Sequence, residues 1–109
     1  MELKMTNHNI KIIRWPGDKM SDEATLRKIL AEEDLHPYVW SNSSGDVYGA
    51  HSHGYHKVIY VVRGSITFGL PDSGEKVKLN TGDRLELPPG VAHNAVVGPQ
   101  GVACLEAHR

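Results

Sequence analysis

Short apolar runs separated by turn-forming residues make up most of the chain after residue 37. The runs are rich in β-branched and aromatic residues and break at glycine, proline, asparagine and serine, a pattern that predicts short β-strands. The predicted strands cover residues 38–42, 46–53, 57–63, 65–70, 76–79, 84–87, 93–97 and 102–107. Eight strands at this spacing favour an all-β jelly roll or barrel, because such folds protect their strand edges better than an open sheet does.

The segment before residue 37 predicts one strand and one helix. The strand covers residues 8–15 and ends at a Pro-Gly pair. The helix begins at Ser21, its predicted N-cap, and its apolar residues recur at helical spacing until about Leu35. Pro37 prevents its continuation. We expect this helix to pack across one end or edge of the barrel.

Chain length predicts a single domain over residues 1–109, with the N-terminal strand and helix in 1–37 and the barrel in 38–109. The formal net charge of −1, without a basic cluster, argues against a nucleic-acid partner. Cys104 is the only cysteine, so no intrachain disulfide can form, which is typical of a reducing compartment. There is no run of about 18 apolar residues and no signal-peptide pattern. We therefore expect a cytoplasmic protein without a membrane partner.

Three histidines suggest a metal site. His51 and His53 are two residues apart in a predicted strand, so their side chains point to the same face. His93 follows the corner Pro88-Pro89-Gly90 and begins another predicted strand. A third imidazole brought in by a neighbouring strand would complete a three-nitrogen set for a divalent transition metal (Fe, Ni, Zn, Mn or Cu) and leave coordination positions open.

The spacing of glycines and histidines around these residues resembles the two motifs of the cupin family. In the first motif a glycine is followed after five residues by His-x-His, then by a glutamate and a glycine, and the matching positions are Gly45, His51, His53 and Gly64. Lys57 occupies the glutamate position. The second motif joins a glycine, Pro-x-Gly, a histidine and an asparagine, and it is matched at Gly82, Pro88, Gly90 and His93.

The resemblance implies a double-stranded β-helix, the cupin jelly-roll barrel, with one N-terminal helix. It also implies that the three histidines ligate a metal together with a carboxylate. The chain departs from the family pattern in two places, because Lys57 replaces the glutamate and Val97 replaces the asparagine. An ammonium cannot coordinate a metal, so the fourth ligand of the family has no counterpart at this position.

Three arrangements are compatible with Lys57. The histidines can hold the metal alone, with water completing its coordination, which is similar to the three-histidine centres of cupin-type thiol and diketone dioxygenases. His56 can serve as a fourth ligand, although as the neighbour of Lys57 it should point to the opposite face. In the third arrangement the site is metal-free, and the histidines and Lys57 bind an organic anion. A buried Lys57 also needs an acidic partner, such as Glu106 or Glu86.

We therefore expect a small metal-binding cupin that acts on a small organic molecule, in a dioxygenase-like or isomerase-like reaction. Lys57 is the predicted catalytic residue, which attracts an anionic substrate or donates a proton. The alternative is a non-catalytic protein that binds or senses a small molecule, without a metal. His8, His36 and His108 are expected on the surface. Trp15, Tyr38, Trp40 and Tyr48 can line a pocket, but packing in the core or beneath the helix is the default role for these larger aromatic residues.

Both faces of the strand predicted at 57–63 are apolar. Lys57, Ile59 and Val61 should face inward with the histidines, which leaves an apolar outer face to be covered by the N-terminal segment or by a second subunit. We therefore expect a homodimer in which the N-terminal strand around Ile10, Ile12 and Ile13 crosses to the partner.

Overall fold

The computed structural model describes residues 10–17 and 19–109. Residues 8 and 9 of the predicted first strand, including His8, lie outside the described residues. The elements, in chain order, are β1 (Lys11–Ile13), α1 (Glu23–Glu32), β2 (Tyr38–Asn42), β3 (Val47–His51), β4 (Lys57–Leu70), β5 (Glu75–Asn80), β6 (Arg84–Leu87) and β7 (His93–His108). The predicted all-β double-stranded β-helix with one N-terminal helix is confirmed.

Two long antiparallel strands, β4 and β7, form the spine of the sheet. β5 and β6 pair with β4 on one side, and β2 and β3 pair with β7 on the other. β1 pairs with β6 and forms one edge. Because β3 pairs with the start of β7, the register places His51 directly opposite His93. The topology therefore brings together two histidine segments that are far apart in the sequence.

The predicted breaks at Gly64 and at residues 98–101 are wrong, because both β4 and β7 continue through these positions. Gly64 pairs with Val102 and Ile66 pairs with Val97, so residues 98–101 bulge out of the ladder opposite a single β4 residue. Gly64 has a φ of 79°, and a Cβ atom there would overlap the carbonyl oxygen of Gly101. The glycines that indicated turns thus permit bulges within bent strands.

The interior of the barrel contains an apolar core drawn from β4 to β7. Its fully buried members include Ile59, Ile66, Leu79, Leu85 and Val102. The inward orientation predicted for Ile59 and Val61 is confirmed by their place in this core. The three histidines are not members of this core.

Helix α1 covers the outer apolar face of β4. Its buried residues Leu26 and Leu30 pack with Val58, Tyr60 and other residues of this face in a second core, the outer core. β1 pairs with β6 of the same chain. The uncovered face that motivated the dimer is therefore covered within the chain, and the crossing of the N-terminal strand to a partner stays a prediction. Within the described residues, no helix is long and apolar enough to span a bilayer.

The helix begins one residue later than predicted and ends earlier. Asp22, not Ser21, is the N-cap, because its carboxylate accepts a hydrogen bond from the Thr25 backbone N–H at 2.8 Å. The hydroxyl of Ser21 is buried without a hydrogen-bond partner. The helix ends at Glu32, and Leu35 packs in the outer core after the chain has turned.

A buried ion cluster joins the end of the helix to the sheet. The guanidinium of Arg84 on β6 donates two hydrogen bonds of 2.7 Å to Glu33 and one of 3.0 Å to Glu86. It also contacts the Tyr60 hydroxyl at 3.1 Å. Glu86 in turn accepts a hydrogen bond from His56 at 2.9 Å. Because His56 precedes β4, this cluster fixes both the helix and the loop that follows the paired histidines.

Candidate metal centre

His51, His53 and His93 converge at one end of the barrel. Each offers one ring nitrogen, and these three nitrogens lie within 4.8 Å of one another. His51 is the last residue of β3 and His93 is the first of β7, so strand pairing fixes their proximity. His53 lies two residues beyond His51 in the following loop. The structure thus brings together the three histidines that the sequence singled out.

Backbone carbonyls orient two of the three imidazoles. Nδ1 of His51 lies 2.7 Å from the Gly49 carbonyl oxygen, and Nδ1 of His93 lies 2.9 Å from that of Val91. A carbonyl only accepts, so Nδ1 carries the proton in both rings and the lone pair lies on Nε2. This is the arrangement in which histidines ligate metals, because the hydrogen bond on the other nitrogen fixes the tautomer and the ring orientation.

Nε2 of His93 is buried without a hydrogen-bond partner. The residue is 2% exposed. Burial lowers the pKa of His93, and the charges of His51 and Lys57 lower it further, although the hydrogen bond to Val91 opposes this. The neutral ring is therefore favoured, and its buried lone pair needs a partner. A divalent transition metal held by the three histidines would supply that partner, so the residues present fit such an ion.

Lys57 lies beside the histidines. Its ammonium is 3.2 Å from Nε2 of His53, while Nδ1 of His53 is 3.1 Å from the Tyr55 hydroxyl. An ammonium only donates, so the lone pair of His53 lies on Nε2 and accepts from Lys57. Burial and then the Lys57 charge lower the pKa of His53. The side chain of Lys57 is only 11% exposed and points inward, as predicted.

Glu106 on β7 is the acidic partner of Lys57, with Nζ and Oε2 3.6 Å apart. The Tyr38 hydroxyl donates to the Glu106 carboxylate at 2.6 Å and Trp40 Nε1 donates at 3.0 Å. His108 Nε2 contacts it at 2.7 Å. Burial raises the pKa of Glu106, but the hydrogen bonds from Tyr38 and His108 and the charge of Lys57 outweigh it, so the pKa lies below its ordinary value. Glu106 is therefore a buried carboxylate.

A cavity of about 310 Å³ lies over these residues. Its walls combine aromatic and aliphatic side chains with the histidines, Lys57 and Glu106, and a mainly apolar lining with a few polar groups is usual for a small-molecule site. The lining residues are Tyr38, Trp40, Tyr48, His51, His53, Tyr55, Lys57, Ile59, Ile66, Phe68, His93, Ala95 and Glu106.

The family model described as the cupin domain matches residues 39–105, which is more than half of the chain. This chain is a cupin. The match begins in β2 and ends near the end of β7, so it contains the three histidines, Lys57 and most of the barrel.

Solved structures resemble this cupin over much of its length. An RmlC-like cupin from Shewanella frigidimarina is 28% identical with a TM-score of 0.59, and the alignment covers 68% of this chain and 64% of that one. KdgF from a Halomonas species is also 28% identical, with a TM-score of 0.57 and 68% of each chain covered. A DUF861 family protein from Thermotoga maritima is 16% identical, with a TM-score of 0.64 and 93% and 100% of the two chains covered.

The cupin spans slightly less than two thirds of the Shewanella protein's length. The match to the Thermotoga protein shows the fold alone, because the identity is low. No curated protein matches the sequence significantly.

The larger aromatic residues of this cupin divide between core and cavity. Trp40 and Tyr48 pack against the inner core, as expected, and also line the cavity, whereas Trp15 packs against the outer core. Tyr38 is half exposed and lines the cavity without belonging to the core. β2 and β3 form the wall of the barrel next to Glu106 and the histidines, which is why their aromatic residues reach the cavity. Tyr55 was not predicted at all, and it stacks on His53 with ring centroids 4.9 Å apart.

The remaining histidines stay outside the cluster. His56 contacts Glu86 at 2.9 Å and is not among the grouped ligands, so the structure does not support a fourth ligand at this position. His36 is exposed, as predicted. His108, expected on the surface, is exposed but touches Glu106 and Tyr55. Cys104 is buried, and burial raises the pKa of its thiol to about 12, so it is no nucleophile at neutral pH.

Proposed function

We propose that this cupin holds one divalent transition metal through His51, His53 and His93 and acts on a small organic anion in the adjoining cavity. The observation that carries the proposal is the buried lone pair of His93 Nε2, which lacks a partner and faces two further imidazoles. A set of three neutral nitrogens suits Fe, Ni, Zn, Mn or Cu and leaves coordination positions open. Such an ion supplies Lewis acidity or, with a redox metal, oxygen activation.

The cavity favours a small substrate with at least one anionic group. Lys57 presents a mostly buried cation beside His53, and the aliphatic residues Ile59 and Ile66 supply apolar surface in the same cavity. In so small a space the substrate loses much of its water on entering, which strengthens its attraction to the ammonium. Family membership supports a small-molecule ligand of this kind.

Lys57 is the proposed catalytic residue. Its ammonium lies within hydrogen-bond distance of His53, one of the proposed metal ligands, and Lys57 lines the cavity. The ammonium can therefore contact a substrate bound there. It would bind a carboxylate or enolate oxygen, or donate a proton to it. The reaction would be a dioxygenase-like oxidation or an isomerisation.

The second candidate is a metal-free protein that binds or senses an anion. The contact between Lys57 and His53 favours this alternative, because the ammonium already uses one of the three lone pairs. In that case the histidines and Lys57 would contact the ligand directly. The two candidates differ in whether removing the metal abolishes ligand binding.

Three further expectations belong to this proposal. The described parts of 1–37 and 38–109 form one folded domain, because helix α1 shares its core with β4 and β7. The protein is cytoplasmic, as expected of a chain whose single cysteine is buried and unpaired. It forms a homodimer through surface other than the β4 face that the helix covers. Val47 and Val96, paired neighbours that are both exposed, offer such a surface.

Cobalt titration tests the metal site, because the visible absorption of Co²⁺ depends on its ligands. We expect one Co²⁺ per chain in the wild type. His51→Ala and His93→Ala should abolish binding, because two imidazoles do not retain what three hold. His36→Ala, which removes an exposed histidine away from the site, is the matched control. If the double variant His51→Ala, His53→Ala binds Co²⁺ as well as the wild type does, the metal site lies elsewhere.

Oxalate, a small dianion, then tests the open positions. Addition of oxalate to the cobalt-loaded protein should change the absorption spectrum. Oxalate binding that persists after chelator treatment and is lost in Lys57→Met would instead support the metal-free alternative. A cobalt spectrum insensitive to oxalate, without binding to the metal-free protein, would contradict the proposed substrate class.

A further inference from the structure

Two cations compete for one lone pair at this site. Nε2 of His53 accepts a hydrogen bond from the Lys57 ammonium at 3.2 Å, and the same lone pair would be needed to ligate a metal. A lone pair that binds a metal cannot also accept a hydrogen bond. The hydrogen bond from Lys57 and metal ligation through Nε2 of His53 therefore exclude each other.

We infer that Lys57 is a built-in competitor for the metal and that Glu106 is the positioning residue that receives the ammonium when a metal binds. The inference rests on the proposed metal site. It assigns a role to the lysine at the usual glutamate position and adds Glu106 to the residues that govern the site. In this arrangement the exchange of Lys57 between His53 and Glu106 sets the metal affinity.

The surroundings of Lys57 leave its ammonium few acceptors. Its side chain is 11% exposed, and among the described residues its polar contacts are His53 Nε2 and Glu106 Oε2. The second contact, at 3.6 Å, is an ion pair longer than a hydrogen bond. A movement of less than 1 Å would therefore bring the ammonium into hydrogen-bond distance of Glu106. A metal bound at Nε2 of His53 would take the lone pair and repel the ammonium, which drives this movement.

Glu106 is built to remain a charged, fixed acceptor. Its side chain is 4% exposed, and Tyr38, Trp40 and His108 hold the carboxylate in place. A rigid anion at this distance lowers the cost of displacing the ammonium, because Lys57 keeps a counter-ion in both positions. Without that charge, an ammonium moved off His53 would be buried and unpaired.

Metal affinity in three variants tests the inference. Apparent dissociation constants for Zn²⁺ are measured by competition with a chromophoric chelator. Lys57→Met keeps most of the length of the side chain and removes the competing ammonium, so binding should tighten at least about tenfold. Glu106→Gln keeps the shape of the acceptor but removes its charge, so binding should weaken by about tenfold. Lys76→Met, at an exposed lysine on β5 that does not line the cavity, removes the same charge and should leave the affinity nearly unchanged.

The double variant Lys57→Met, Glu106→Gln separates this mechanism from a direct effect of Glu106. If Glu106 acts only through Lys57, the double variant binds Zn²⁺ as tightly as Lys57→Met. A further loss on adding Glu106→Gln, or unchanged affinity in Lys57→Met, would overturn the inference. Melting curves of the metal-free variants check that each is folded. If Glu106→Gln is unfolded, Glu106→Asp replaces it, because the shorter side chain withdraws the carboxylate from Lys57, and it should also weaken Zn²⁺ binding.

Failure of the proposed function gives a different pattern. One outcome is that Zn²⁺ does not bind to the wild type but binds to Lys57→Met, with His51 as a ligand. This outcome confirms the competition by Lys57 and refutes the proposal that the wild type functions with a metal. If the wild type binds Zn²⁺ with an affinity that Lys57→Met does not change, the metal site stands and the competition is refuted. If neither protein binds Zn²⁺, both proposals fail.

Discussion

The buried cluster around Arg84 gives the sharpest prediction for stability. The guanidinium is 4% exposed, and its partner Glu86 is 7% exposed. Replacing Arg84 with methionine removes the hydrogen bonds to Glu33 and Glu86 and leaves the Glu86 carboxylate buried. Breaking a buried pair by removing one partner costs about 3–5 kcal/mol, much more than the pair itself contributes.

Two contacts place the expected cost at the lower end of that range. Glu86 retains His56 at 2.9 Å, and Arg109 lies 4.0 Å away. Glu33 is one-third exposed and can be solvated. We therefore expect Arg84→Met to lower the free energy of unfolding by about 3 kcal/mol. The midpoint of thermal unfolding should fall by about 12 °C for a domain of this size.

Arg27→Met is the matched control. Arg27 also pairs with a glutamate, Glu23, at 2.8 Å, but both side chains are exposed on one face of α1. Exposed pairs of this spacing contribute only about 0.3–0.5 kcal/mol. Urea unfolding at pH 7 measures both variants. Equal losses of about 0.5 kcal/mol or less in Arg84→Met and Arg27→Met would refute the view that the cluster fixes the helix to the sheet.

Three further predictions concern the backbone at Gly64, the buried carboxylate of Glu86 and the oligomeric state. Gly64→Ala should lower the free energy of unfolding by more than about 3 kcal/mol in urea unfolding, because the new Cβ atom combines a left-handed φ with overlap on the Gly101 carbonyl oxygen. Gly74→Ala, at a similar φ but in open space, should cost only about 1 kcal/mol. The pKa of Glu86 lies below its ordinary 4.5 because the contacts with His56 and Arg84 outweigh the effect of burial. Its folded pKa is therefore lower than its unfolded pKa, so its contribution to stability is complete above pH 4.5 and is lost as the pH falls below it. Urea unfolding between pH 7 and pH 3 should show this loss, and stability that rises towards pH 3 would contradict it. Light scattering should give twice the chain mass of 12.0 kDa, and a monomer at micromolar concentration would refute the dimer.

The candidate site was largely predictable from local sequence patterns. The His-x-His spacing predicted a common orientation on one strand, but β3 ends at His51 and His53 reaches the site from the following loop. The Pro-Pro-Gly corner places His93 at the start of β7, as predicted. The chemistry around Lys57 was only partly predictable. An acidic partner was required on physical grounds, and Glu106 was one of two choices, but its contacts with Tyr38 and Trp40 join positions more than 60 residues apart. No local pattern encodes such contacts.

The errors in the fold have a common cause. Glycine marks any position that needs a left-handed φ, so Gly64 and Gly101 indicated turns although they permit bulges in continuous strands. The covering of the Val58 and Tyr60 face was also undecided, because an apolar pattern shows that a face is buried but not which element buries it. In both cases the deciding information lies in tertiary packing.

The metal content of the protein as purified tests the central claim most directly. Elemental analysis, without added metal and with chelator-free buffers, should give about one divalent transition metal ion per chain. His51→Ala and His93→Ala, purified in the same way, should contain almost none, and His36→Ala should match the wild type. Wild-type protein without metal that also fails to bind added Co²⁺ or Zn²⁺ would contradict the claim, as would full metal content in His93→Ala.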